Sequence, residues 1–236
     1  MTEVVTPSTT LARASGLVFR PIWAIYLLLG VVVLGATAFA VFRPVLVLPR
    51  ITLAPGFALV DQNGKPLTNE DMRGKIVLYN ISHAACTAPC PQTAAAMQAV
   101  QARLDEVETF GIPVELVTIS VDPERDTPEV LRAYAASLDA GDNWHFVTGA
   151  PDRLKYVVGG GFGVYYTERA DGTLAVDPGM MLVDGQGILR AEYRTAAPEV
   201  DRLLRDIGLV AEEAENSGGA SRYAYEAAHL FLCYPR

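Results

Sequence analysis

The stretch "KIVLYNISHAACTAPCPQTAAAMQAVQARL", Lys75 to Leu104, holds the reading on which the fold turns. Its first part, KIVLYNIS, is an apolar run of strand length rich in β-formers, which predicts a strand covered on both faces. Behind the cysteines come helix formers, with Met97, Val100, Leu104 and Val107 at spacings of three and four, and these predict a helix from Thr93 to Phe110. The order is strand, cysteine pair, helix. Cys86 follows the strand and Cys90 falls in the first helical turn, where free N–H groups and the helix dipole favour thiolate over thiol. Four residues apart at a helix start, the two sulfurs point to the same side, close enough to form a disulfide or to hold one soft ion jointly. Thiolates select Cu(I) and, with more ligands, Zn(II). The bland alternative is a pair of small buried hydrophobes. A position at the carboxyl end of a strand, where α/β folds place reactive groups, favours chemistry over it. Redox and metal readings both stay open at this point.

Outward from this centre, FALVDQNGKPLT reads as a β-hairpin turning at Asn63-Gly64, a pair suited to positive φ. VELVTISV is a second buried strand, and TPEVLRAYAASLDA a helix capped by Thr127 with Pro128 at its first position. NWHFVTG is a third strand, PDRLKYVV a short helix, GMMLVDGQGILRAEYR a second hairpin, and a last helix runs from about Pro198 to Glu213. Strands alternating with helices and closing in a hairpin indicate an α/β sheet with helices on both faces.

The chain of 236 residues has room for one ordinary domain plus appendages. PIWAIYLLLGVVVLGATAFAVF, Pro21 to Phe42, is uncharged, sits between Arg20 and Arg43, and has the length that crosses a bilayer as a helix. It is read as a transmembrane anchor, because a cleaved signal's apolar core is typically only about 7 to 15 residues. Arg13 and Arg20 on one side balance Arg43 and Arg50 on the other, so charge does not choose an orientation. The division expected is an N-terminal segment (1–20), the anchor (21–42), a proline-containing stalk (43–56), the α/β domain (57–213) and a linker with an apolar tail (214–236). The tail suits its own domain, the membrane surface or a partner. A formal net charge of −8 with no basic stripe excludes nucleic acid as a partner. Three cysteines are too few for a disulfide scaffold.

CTAPCP, Cys86 to Pro91, resembles the CxxxCP motif of the Sco/SenC family, and ISVDPERDTPEVLRAYA, Ile119 to Ala135, resembles that family's signature after the second core strand. The likeness covers Phe57 to Leu209 and includes the first hairpin, WHFVTG and the N-terminal anchor. It implies a thioredoxin-like fold, a central mixed sheet flanked by helices, with an N-terminal transmembrane helix in the bacterial cytoplasmic membrane and a head on its outer side. It also implies a copper chaperone that helps assemble the copper site of subunit II in cytochrome c oxidase, a heme-copper oxidase. The family binds copper through its two motif cysteines and one distant histidine. The corresponding segment here, LAVDPGMMLVDGQG, contains no histidine, and Asp177 is followed by Pro178. A proline there resembles thiol-disulfide relatives of the TlpA type, in which a cis-proline loop faces the cysteines. Pro178 is accordingly expected to be cis and to shape the groove beside Cys86 and Cys90.

Candidate replacements for the third copper ligand are His83, close in front of Cys86, and Met180, whose thioether suits Cu(I). Strand alternation sends only one of Met180 and Met181 toward the site, and packing is the favoured role for both. His145 is read as structural, and His229 with Cys233 as a thiolate–imidazole pair placed only by the tail. GGGFGV, Gly159 to Val164, is read as a flexible loop, and the acids of VDPERDTPE as a turn, a cap and a first-turn charge. The expectation is a membrane-anchored Sco-like protein that either delivers Cu(I) to cytochrome c oxidase subunit II or reduces the cysteines that receive it. Cys86 attacks or releases, and Cys90 resolves or ligates. The rival is a non-catalytic accessory subunit that uses the fold to dock on a respiratory membrane complex.

Overall fold

The computed structural model describes residues 21–42 and 45–231, in two units that part after Pro44. The first unit's helix, α1 (Pro21–Phe42), occupies the residues expected to form the anchor, and Leu27, Leu28, Val33 and Leu34 are exposed on it. Among the described residues no helix is long and apolar enough to cross a membrane. The side chains of α1 are described from Ile22 to Ala38 and at Val41. The anchor is therefore not established by the structure.

The second unit is built on eight strands, β1 (Thr52–Leu53), β2 (Ala58–Asp61), β3 (Pro66–Thr68), β4 (Ile76–Ser82), β5 (Val114–Ser120), β6 (Trp144–Thr148), β9 (Met180–Val183) and β10 (Ile188–Tyr193). They lie in the order β1-β10-β9-β4-β5-β6-β2-β3, with a separate hairpin of β7 (Tyr166–Glu168) and β8 (Leu174–Val176). β4, β5 and β6 run parallel, and β9 lies antiparallel against β4. Every residue of β4 is buried, as its apolar run requires. Alternation divides the strands between two cores. Leu78, Leu116, Phe146, Met180 and Leu182 face α2 (Cys90–Ala102), α3 (Pro128–Ser137) and α5 (Val200–Glu215). Val77, Tyr79, Val117, Met181 and Val183 face Phe57, Leu59, Leu154 of α4 (Pro151–Leu154) and Phe162.

Local chemistry accounts for the element boundaries. The first hairpin turns at Gly64, at φ 76°, while the Asp61 carboxylate accepts from the N–H groups of Asn63 and Lys65, both at 2.8 Å. The Thr127 hydroxyl accepts from Val130 N at 3.5 Å, and Pro128 opens α3, as the cap reading expects. The helix expected to reach Phe110 stops at Ala102. Arg103 turns out at φ −121°, a 3-10 turn follows at Leu104–Glu106, and Leu104 and Val107 still pack on the α2 core while the chain swings back toward β5. The run Gly159 to Gly161, expected to be a loop, closes a wide helical turn in which Phe162 N donates to Val157 O at 2.9 Å.

From Val45 onward the chain belongs to the globular unit. Val47 and Leu48 are buried, and β1 pairs with β10. The centre of this attachment is Arg190, 2 % exposed. It donates to Asp184 at 3.0 Å, Glu213 at 2.5 Å and the carbonyls of Leu48 at 2.8 Å and Pro49 at 3.2 Å. Glu213 also takes Arg50 at 2.9 Å and His229 at 2.8 Å. His229 lies on α6 (Ser221–Phe231), so the tail helix packs on its own domain, with Tyr225 and Ala228 buried.

Replacing Arg190 by Met leaves Asp184 buried without its counter-charge and Glu213 with Arg50 and His229 alone, and the expected loss of about 3–5 kcal/mol is read by urea unfolding. Burial pushes the Glu213 carboxyl up, but hydrogen bonds and charge from Arg190, with hydrogen bonds from His229 and Arg50, hold it below its ordinary 4.5. The unfolded chain therefore takes up the proton first. The stability Glu213 contributes is fully present above about pH 4.5 and is lost as pH falls through the lower folded value. Urea midpoints between pH 6 and pH 3 are expected to fall more steeply for the native protein than for Glu213→Gln.

Candidate functional site: a disulfide at the carboxyl edge of the sheet

β4 ends at Ser82, and the chain leaves the sheet over the edge where the parallel strands finish. It turns at once, with Cys86 N donating to the carbonyl of His83 at 3.1 Å, and enters α2 at Cys90. Cys86 and Cys90 are joined in a disulfide with their Cα atoms 5.8 Å apart, one of the two pairings their spacing allowed. Cys86 is partly exposed and Cys90 is 2 % exposed, so only one sulfur is open to attack.

The loop before Cys86 is held from below by Asp126, a residue the sequence did not single out. Its buried carboxylate accepts from Ala84 N at 2.9 Å and from the Ser120 hydroxyl. Asp122 anchors the same turn, with its carbonyl accepting from Asp126 N at 2.8 Å and its carboxylate from Arg125 at 2.9 Å. Arg125 also reaches Gly172 O in the β7–β8 hairpin at 3.1 Å. The acids of VDPERDTPE are thus structural, as read, but one of them carries the cysteine loop. The signal available in the sequence was an acid just before the Thr-Pro helix start that neither the cap nor the dipole uses.

Pro178 lies beside this loop. Ile81 N donates to Gly179 O at 3.2 Å, and the pairing of Asn80 with Met180 carried two steps further sets Pro178 across from Ser82. The expected cis bond is not there. Among the described residues the cis peptide is Ala88-Pro89, within the cysteine loop, and Asp177-Pro178 is trans. Bonds from Asp177 N to Tyr165 O at 2.9 Å and from Ile81 N to Gly179 O keep this chain extended on both sides of Pro178, and nothing calls for the less stable isomer. Gly179 is needed here, because a Cβ would stand 2.6 Å from Val164 Cγ2.

The candidate ligands are scattered. Met180 is fully buried in the core under α2, and Met181 in the opposite core, as packing predicts. His83 is 4 % exposed, and its Nε2 lies 3.2 Å from Leu174 O. A carbonyl only accepts, so Nε2 donates in this contact, and Nδ1 is buried without a hydrogen-bond partner. His145 pairs with Glu115 at 3.1 Å near the amino ends of β5 and β6, at the opposite edge from the cysteines. His229 is engaged by Glu213. Cys233 lies outside the described residues. Among those residues no group of three or more His, Cys, Asp and Glu side chains is gathered for a metal. Cavities of about 250 Å³ under Tyr79 and about 410 Å³ beside Arg190 are lined by other residues.

An α/β sheet with a cysteine pair between a buried strand and a helix defines a thiol protein of the thioredoxin-like class. The SCO1/SenC family model matches residues 49–211, and the chain belongs to that family. A protein of Stutzerimonas stutzeri whose name assigns it copper binding is 32% identical over 164 residues, 68% of this chain and 78% of that one. The structure of Arabidopsis thaliana ScoI with copper bound superposes with a TM-score of 0.59 at 26% identity, covering 69% of this chain and 99% of that one. BsSco, reported as showing a disulfide switch in a member of the Sco family of cytochrome c oxidase assembly proteins, gives 0.59 at 25% identity, covering 70% and 96%.

Asp126→Ala removes the acceptor of a part-buried amide and a buried hydroxyl, at a cost of about 1–3 kcal/mol for each group left unpaired. The expected result is a lower denaturation midpoint and loss of hydrogen-exchange protection at the Ala84 amide, with α5 protection preserved.

Proposed function

We propose that this protein is anchored by Pro21 to Phe42 in a bacterial cytoplasmic membrane, with its domain on the outer side, and serves the biogenesis of a respiratory oxidase. There it delivers Cu(I) to the copper site of cytochrome c oxidase subunit II or reduces the cysteines of that site. The observation that carries the reading is the asymmetric pair, one reachable sulfur and one buried at a helix start, in a chain of the SCO1/SenC family. Copper binding in ScoI and the disulfide switch of BsSco support both halves of it. The uncharged run between Arg20 and Arg43 supports the anchor.

As a reductant, the Cys86 thiolate attacks a partner disulfide and forms a mixed disulfide. The partner's other sulfur leaves with the electron pair and takes up a proton. Cys90 then gives up its proton and attacks Cys86, which releases the partner's second sulfur and restores Cys86–Cys90. Two electrons pass to the partner and none is left over. Pro178 shapes the surface the partner peptide meets. As a carrier, the reduced pair holds Cu(I) as cargo between two thiolates, a donor set that fits a soft monovalent ion. Two residues are candidates for a third ligand in place of the family histidine. His83 has an Nδ1 without a hydrogen-bond partner, whereas Met180 would need its sulfur freed from the core. A disulfide with one partly exposed sulfur suits a protein partner.

The test is an anaerobic Cu(I) titration of the reduced protein beside Cys86→Ser, His83→Ala and Met180→Ala. One tightly bound Cu(I) per chain that disappears in Cys86→Ser is expected, with affinity at least tenfold weaker in His83→Ala and unchanged in Met180→Ala. No binding above Cys86→Ser removes the copper half and leaves thiol reduction. An oxidase assembled with full copper in cells carrying Cys86→Ser removes both halves and leaves a docking subunit.

A further inference from the structure

Asn80 lies near the end of β4 at 1 % exposure, and neither Oδ1 nor Nδ2 of its side chain has a hydrogen-bond partner. An unpaired buried amide costs about 1–3 kcal/mol in proteins. Its surroundings do not relieve it. Alternation places Asn80 on the face of Leu78, Met180 and Met97, directly under the amino-terminal half of α2. Its neighbours across the sheet are Thr118 and Met180. The Thr118 hydroxyl is taken by Trp144 Nε1 at 3.0 Å, and the Thr93 hydroxyl donates to Cys90 O at 3.1 Å. The hydroxyls of Thr118 and Thr93 thus have partners in the oxidised protein, and the Asn80 carboxamide has none.

Opening the disulfide changes what the layer needs. A dithiol reductant attacks the reachable Cys86 sulfur, the S–S bond breaks, and its electron pair leaves on Cys90. The reductant's second thiol then displaces Cys86, and the two protons it brought end on the protein's sulfurs while it leaves as its own disulfide. Cys90, 2 % exposed, thereby becomes an anion in a dry interior before it is protonated. A buried anion requires donors. The helix side offers little, because Pro91 has no N–H and the N–H groups of Gln92 and Thr93 donate to Pro89 O at 3.2 and 3.5 Å. The Asn80 carboxamide, on the face of the sheet that α2 covers, is able to donate to a thiolate through N–H and to accept from a thiol through Oδ1.

We infer that Asn80 is the positioning residue of reduced Cys90, with a carboxamide that is unpaired in the disulfide form and bonds the Cys90 sulfur once the disulfide opens. The inference deepens the proposed function and rests on its reading of Cys86–Cys90 as a pair that opens and closes. It makes the sheet beneath the site part of its redox poise: the oxidised form bears an unpaired polar group that the reduced form satisfies.

The full-length protein in mild detergent is equilibrated with dithiothreitol at graded ratios of its thiol and disulfide forms. The fraction reduced is read by alkylation and peptide mass, which separates Cys86 and Cys90 from Cys233. Asn80→Leu and Asn80→Ala are expected to lower the equilibrium constant for reduction about tenfold, roughly 30 mV more negative. The melting temperature of oxidised Asn80→Leu is expected to equal or exceed that of the native protein, an outcome a purely structural asparagine does not give. Asn80→Ala adds no volume and serves if the leucine does not fold. In the native protein itself the Asn80 side-chain NH₂ resonances are expected to move on reduction. Folded variants with an unchanged or raised equilibrium constant, or resonances that stay in place, overturn the role of Asn80 and leave the proposed function standing. A native disulfide that the dithiol does not reduce at any ratio overturns both.

Discussion

Because β4 is buried on both faces along its whole length, the chain has no freedom until it clears Ser82 at the carboxyl edge of the sheet. The parallel neighbour β5 ends level with it, Ser82 against Ser120, and the loops that follow both strands meet there. One of them carries the cysteines and the other carries Asp126. The bond from Ala84 N to the Asp126 carboxylate ties the two loops together, and its geometry depends on the register of β4 with β5. That register is enforced by two cores that sort alternate residues, so a slip by one position would turn both cores inside out.

The same constraint makes the pair asymmetric. Cys90 is drawn under α2 because the helix packs against β4 through Met97 and Val100, while Cys86 is left on the loop outside. Asymmetry of this kind gives a thiol protein a direction, with one sulfur to meet a partner and one to resolve. Pro178 completes the edge as a trans residue beside Ser82. A proline there offers shape and no ligand. The two sulfurs are therefore left as the reactive groups of this edge, with unpartnered buried polar atoms on His83 and Asn80 in the same part of the chain.

At the far side of β9, Arg190 supports a different part of the molecule. It ties the segment after Pro44 and the helix α5 to β10, and through Glu213 it holds α6 as well. A buried cation with two carboxylates and two carbonyls is costly to desolvate and strongly coupled once assembled, so it acts as a register for the chain's two ends more than as a source of net stability.

The sequence by itself determined the α/β order, the two-sided burial of β4 and β5, the cap of α3 and the location of the cysteine pair, because each is a local pattern of polarity or spacing. It also marked the departure at Pro178, since that depends only on which residue stands there. What the tertiary structure alone decided were contacts between residues remote in sequence. Examples are the carboxylate of Asp126 under the cysteine loop, the trans geometry of Pro178 held by Tyr165 and Ile81, and the early end of α2. The attachment of α6 through Glu213 and the isolation of Asn80 between Thr118 and Met180 belong with them. Periodicity tells a residue which face it occupies; only the packing of neighbouring strands and helices tells it whether a partner waits there.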